Sequence, residues 1–221
     1  MSWKGVRTLR VESEAMTLYA VTDSAWVGEQ TLMDQVKDAL DGGITFLQLR
    51  EKELDYDAFL KEAREMAELS RQYGVPFVIN DEVEIALKCG ADGVHVGQED
   101  MACRNARKLL GPDKIIGVSV HNVKEALKAQ ADGADYLGLG AVKATPTKTD
   151  AKVVKFEEIK KVCDAVNIPV VAIGGIKKDN LMELKGSHVD GIAVVSAIFG
   201  AENIKKETEE LRKKAEEMRI R

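Results

Sequence analysis

In the stretch ITFLQLREKE, residues 44–53, an apolar run leads into Gln48, Arg50 and Lys52 at strict alternation. In an extended chain alternate side chains share one face, so an amide and two cations line up at the end of a buried strand. Two cations aimed the same way suit an anion with more than one charge. Together with Lys148, in the segment TPTK, they suit a phosphate group held by charge-assisted hydrogen bonds. Gly174, Gly175 and Ser196 offer a second place where backbone N–H groups take a phosphate. Asp81 and Asp100 add two carboxylates. Beside a phosphate of several charges, paired hard-oxygen ligands point to Mg2+. Asn80, Gln98, Ser119, Thr145 and Thr147 supply neutral polar groups.

These residues share a position in a larger pattern. Eight short apolar runs recur along the chain: LYAVT (18–22), ITFLQL (44–49), PFVIN (76–80), GVHVG (93–97), IIGVSV (115–120), YLGLG (136–140), PVVAIGG (169–175) and GIAVVS (191–196). They are apolar on both faces, as buried parallel strands are. Between and after them lie amphipathic stretches at 31–41, 55–73, 82–89, 101–110, 122–132, 156–166, 179–187 and 198–218. In DAFLKEAREMAELSRQYG an apolar stripe of Phe59, Ala63, Met66, Ala67 and Leu69 is followed by Gly74 as a stop. A Gly–Ala–Asp handover from helix to strand occurs twice, before GVHV and before YLGL; LKGSHVDG stands in its place before the last strand. Strand then helix, eight times, gives an α/β fold of one domain, a (β/α)8 TIM barrel. An open doubly wound sheet is disfavoured because no dinucleotide glycine fingerprint follows the first strand. Residues 1–17 form an N-terminal extension, 18–221 the catalytic barrel. In such barrels the chemistry sits at the C-terminal ends of the strands, where every candidate above falls.

Each candidate also has a plainer reading. Arg50 and Lys52 suit a solvated loop paired with Glu51 or Glu53, Asp81 suits a helix N-cap, and Gly174–Gly175 suit a tight corner. His95, inside an apolar run, reads as a packed core histidine. What favours a site is that polar, phosphate-compatible residues end nearly every strand from the second onward.

The 221 residues are 45% hydrophobic and 31% charged, with a net charge of −5. That balance excludes a nucleic-acid or anionic-membrane surface as the general character of the chain, so an anion must meet a local cluster of cations. Cys89, Cys103 and Cys163 form neither a CxxC pair nor a metal spacing and read as thiols of a reducing compartment. No apolar run reaches the ~18 residues of a membrane span, and a cytoplasmic location is expected. Assembly into a homo-oligomer is left open.

QLREK (48–52), IND (79–81), ADGVHVGQEDM (91–101), IGVSVHN (116–122), TPTK (145–148), VVAIGGI (170–176) and VVSAI (194–198) form an ordered set. With it the chain resembles the thiamine-phosphate synthase family from about Leu18 to Ala201. The resemblance implies two small phosphorylated substrates, an aminopyrimidine diphosphate and a thiazole phosphate, joined with release of pyrophosphate. It implies that Gln48 and Ser119 contact the aminopyrimidine. Arg50, Lys52, Asn80 and Lys148 hold its diphosphate, with Arg50, Lys52 and Lys148 the catalytic cations, and Asp81 and Asp100 bind Mg2+. Thr145 and Thr147 lie in the loop covering the substrates, and Gly175, Val195 and Ser196 hold the thiazole phosphate. The loop GAVKA departs from the family's more usual Gly-Pro start, and its Lys143 is expected to add charge near the site. Two alternatives remain open: the thiazole tautomerase relatives, which lack the full transferase set, and a non-catalytic barrel that binds a phosphorylated regulator.

Overall fold

The computed structural model describes residues 11–98, 103–143 and 153–220. Eight parallel strands, each paired with the next and the last with the first, close into a barrel. They are β1 Leu18–Val21, β2 Phe46–Leu49, β3 Phe77–Asn80, β4 Gly93–Val96, β5 Ile115–Val120, β6 Tyr136–Gly140, β7 Val170–Ile173 and β8 Gly191–Val194. The helices are α1 Leu32–Asp41, α2 Tyr56–Tyr73, α3 Val83–Cys89, α4 Cys103–Leu110, α5 Val123–Asp132, α6 Phe156–Ala165, α7 Ser196–Phe199 and α8 Ile204–Arg219. The eightfold strand–helix reading of the sequence therefore holds, with two changes. The stretch 179–187 makes only a 3-10 turn, Leu181–Leu184, and the single helix expected over 198–218 is two: one turn at 196–199, then α8.

Local chemistry sets the helix boundaries. Thr31 and Asp34 form a reciprocal capping box on α1, and Asp55 and Asn122 accept from the third N–H of α2 and α5. The core has two layers. Apolar strand side chains facing outward pack under the helices, among them Leu47, Ile79, Val94 and Leu139. A smaller cluster fills the barrel itself, with Tyr19, Phe46, Val78, Tyr136 and Val171. Val11 and Met16 join this inner cluster, so residues 11–17 cover the N-terminal end of the barrel.

The Gly–Ala–Asp handovers have a physical function. Asp92, just before β4, accepts from the N–H of Phe77 at the start of β3. Asp135 does the same for Ile116 in β5, and Asp190, in the variant segment before β8, for Val170 in β7. Each carboxylate ties the starts of two adjacent strands and so pins their register at the barrel's N-terminal face, the face of such barrels that serves stability. The segment LKGSHVDG, which replaces the Gly–Ala–Asp handover at 184–191, thus keeps the residue that matters.

Candidate active site

A cavity of about 1670 Å³ opens at the C-terminal ends of the strands. Tyr19, at the top of the aromatic plug, lines its floor. The rings of Tyr19, Phe46 and Tyr136 meet edge to face, with centroids 4.7 to 5.9 Å apart. Above them lies a chain of polar side chains. The Gln48 amide donates to the Tyr19 hydroxyl. The hydroxyls of Tyr19 and Tyr136 are 2.8 Å apart, Tyr136 is 3.0 Å from His95 Nδ1, and His95 Nε2 is 2.9 Å from Ser119 Oγ. Burial pushes both phenol pKa values up, so both stay protonated. His95 is buried, as expected of a core histidine, but it faces the cavity and both its ring nitrogens are bonded.

Gln48, Arg50, Asn80, Ser119, Gly175, Val195 and Ser196, all expected at the site, line this one cavity. Arg50 is aimed by β1: its Nη1 lies 3.2 Å from Asp23 Oδ2, and its backbone N–H donates to Thr22 Oγ1 at 3.0 Å. Asp23 also accepts from Ala25 N–H, which fixes its own rotamer. Nothing in the sequence pattern pointed to Thr22 and Asp23, because they act through a strand pairing that only the barrel creates.

Lys52 sits differently from Arg50. β2 ends at Leu49, so the alternation that aligned Gln48, Arg50 and Lys52 stops there. The Glu51 carboxylate accepts from the N–H groups of Lys52 and Glu53 and turns the chain, leaving Lys52 exposed and outside the cavity lining. Asp81 follows β3 with a left-handed φ of 63° and accepts from Asn80 Nδ2 at 2.6 Å. The cap position of α3 belongs to Glu82, so Asp81 does not act as the N-cap. Lys143 pairs with Glu183 at 2.5 Å on the surface and is not among the residues that line the cavity. Asp100, Thr145, Thr147 and Lys148 lie outside the described residues.

Opposite Arg50, Gly174 and Gly175 adopt φ values of 97° and 66°, which L side chains rarely take. A Cβ on Gly174 would also come within 2.7 Å of Ala141 Cβ. The corner therefore requires glycine and brings backbone against the cavity wall. Ser196 and Ala197 open α7 on the same side, and their N–H groups have no acceptor within that single turn. The cavity thus has an arginine on one wall, open backbone and a hydroxyl on another, and a neutral polar floor between them. None of the three thiols lines the cavity: Cys89 and Cys103 are buried in the outer layer, Cys163 packs against it, and burial pushes the Cys103 thiol up to about 11. Among the described residues no helix is long and apolar enough to cross a membrane.

A family model described as thiamine monophosphate synthase matches residues 18–198. A thiamine-phosphate synthase of Clostridium tetani is 46% identical over 195 residues, covering 88% of this chain and 93% of the relative. Another, from Methanobrevibacter smithii, is 46% identical over 198 residues, covering 90% and 94%. Among solved structures, the thiamine phosphate pyrophosphorylase from Pyrococcus furiosus superposes with a TM-score of 0.86 at 43% identity, covering 93% of this chain and 98% of that one. On sequence and on structure alike, the chain belongs to the thiamine monophosphate synthase family.

Proposed function

We propose that this chain is a transferase that joins 4-amino-2-methyl-5-hydroxymethylpyrimidine diphosphate to 4-methyl-5-(2-phosphoethyl)thiazole, giving thiamine phosphate and pyrophosphate. The observation that carries this reading is a single cavity with two different anion-compatible walls on either side of a neutral polar floor. Two phosphorylated substrates, held at opposite walls, bring their rings together over that floor. Proximity of this kind is a large part of what an enzyme supplies to a two-substrate reaction.

In this mechanism Gln48 and Ser119 hold the aminopyrimidine ring. Arg50, kept in place by Asp23, takes the diphosphate with Asn80 and Lys148. The bond between the methylene carbon and the diphosphate oxygen breaks, and its electron pair leaves with pyrophosphate. Cations fixed before the reaction stabilise the charge that develops there. The amino group feeds electron density into the ring and stabilises the methylene cation. The thiazole, positioned by Gly175, Val195 and Ser196 and covered by the loop bearing Thr145 and Thr147, then uses its nitrogen lone pair to form the new C–N bond. No protein nucleophile takes part.

The donor set at the diphosphate wall fits Mg2+. The Asp81 carboxylate stands at the end of β3 beside the Asn80 amide, and Asp100 is its proposed partner. The described residues hold no group of three or more His, Cys, Asp or Glu able to bind a metal. Mg2+ needs no such group, since one or two carboxylates, substrate phosphates and waters complete its shell. Bound there, Mg2+ would neutralise charge on the leaving pyrophosphate. The test is pyrophosphate release with each substrate alone and with both. Release with thiamine phosphate formation only when both are present supports the reading, and its absence under saturating substrates and Mg2+ refutes it.

A further inference from the structure

Five polar groups from five strands run in one line at the bottom of the cavity: Gln48, Tyr19, His95 and Ser119 line it, and Tyr136 joins them from beneath. Each hydroxyl has one hydrogen to give, and a neutral imidazole has one N–H. The hydrogens must therefore run head to tail in one of two directions. In the first, Gln48 donates to Tyr19, Tyr19 to Tyr136, Tyr136 to His95 Nδ1, and His95 Nε2–H to Ser119 Oγ. That leaves the Ser119 O–H and the Gln48 Oε1 to the cavity, one donor and one acceptor. In the second, every bond reverses, and the cavity meets a Ser119 acceptor and a Gln48 N–H. The Gln48 amide is oriented with Nε2 toward Tyr19, which is the first direction. The line is held tightly. A Cβ on Gly117 would lie 2.5 Å from His95 Nδ1, and one on Gly138 would lie 3.0 Å from His95 Cε1, so both ring positions depend on the absence of side chains there.

We infer that Tyr19, Tyr136 and His95 are positioning residues that fix the hydrogen-bond polarity of the pyrimidine site, and that this polarity selects a 4-aminopyrimidine over its 4-oxo counterpart. An amino group donates and the neighbouring ring nitrogen accepts, which matches Gln48 Oε1 and the Ser119 O–H. The oxo compound presents a carbonyl acceptor and a ring N–H, which oppose the same two groups. The substrate class rests on the function proposed above; the direction of the relay does not.

Two measurements on the full chain test this. The first is the tautomer of His95, from long-range 15N–1H correlation spectra, with the three histidines told apart by a His95→Gln variant. The expected result is Nε2–H with bare Nδ1; a Nδ1–H tautomer overturns the inference. The second is equilibrium binding of the aminopyrimidine diphosphate and its 4-oxo analogue, without thiazole phosphate, to wild type, Tyr136→Phe and Tyr19→Phe. Either variant should reduce the preference for the amino compound about tenfold, the worth of one ordinary hydrogen bond. Equal weakening of both ligands, with the preference intact, marks a packing role only and overturns the inference. Should neither variant fold, the tautomer of the wild-type chain decides. A wild type that makes no thiamine phosphate yet shows the Nε2–H tautomer and the amino preference would refute the proposed reaction and leave the relay standing.

Discussion

Gly117 offers the sharpest test of how this floor is built. In Gly117→Ala the new methyl would lie 2.5 Å from His95 Nδ1 and closer still to the ring and hydroxyl of Tyr136. Carbon contacts relax at about 3.5–4.0 Å, so both side chains, or the strand beneath the new methyl, must shift by about 1 Å or more. Tyr136 can shift only by pressing on Phe46 and Tyr19, which pack against it at 5.3 and 5.9 Å between centroids. The 3.0 Å bond between Tyr136 and His95 is the weakest element and should break. Overpacking of about 2 kcal/mol and a lost hydrogen bond of about 1 kcal/mol give a cost of about 3 kcal/mol. For a chain of this size that is a fall of roughly 6–12 °C in Tm. Differential scanning calorimetry measures it, and steady-state kinetics should show a raised KM for the pyrimidine diphosphate with the thiazole phosphate KM unchanged. Gly138→Ala, with its nearest conflict at 3.0 Å, is the graded control and should lose less stability. A Gly117→Ala protein within about 2 °C of wild type, with unaltered KM, would refute the packing argument, since that shift corresponds to under ~1 kcal/mol.

Two further outcomes follow from the walls of the cavity. Ser196→Asp places a negative charge where the thiazole phosphate is proposed to sit, so its KM should rise while that of the pyrimidine diphosphate holds; the opposite pattern would mean the two substrates are exchanged. EDTA should abolish activity and Mg2+ restore it, and Asp81→Asn should weaken the response to Mg2+ with Tm nearly unchanged, because Asp81 is half-buried and outside the two core layers; an unchanged rate in metal-free enzyme would remove Asp81 from a metal role.

Much of this molecule is legible in its sequence because barrels of this kind are assembled from local units. Apolar runs of strand length, amphipathic stretches of helix length and capping residues such as Asp55 and Asn122 each act within a few neighbours. Eight repeats of such a unit allow few ways to bury their faces, so the closed sheet followed. The site residues that end strands could be found for the same reason, since all strand ends converge on one mouth. The failures came where a local rule was carried past the element that enforces it. Strand alternation put Lys52 beside Arg50, but β2 ends at Leu49 and the turn at Glu51 leaves Lys52 exposed and outside the cavity lining. The helical pattern over 198–218 spanned Gly200 and Asn203, where the chain stops one helix and caps the next.

What only tertiary structure decided is how residues distant in sequence meet. Asp23 follows β1 and Arg50 follows β2, and they pair because those strands are neighbours in the barrel. Tyr19 and Tyr136, 117 positions apart, touch because side chains from the non-adjacent strands β1 and β6 fill the same narrow interior. From the sequence Tyr136 is one more aromatic residue in an apolar run, and His95 one polar residue in another. Their hydrogen-bonding groups had to find partners once buried, and closure of the barrel was what placed those partners within reach of one another.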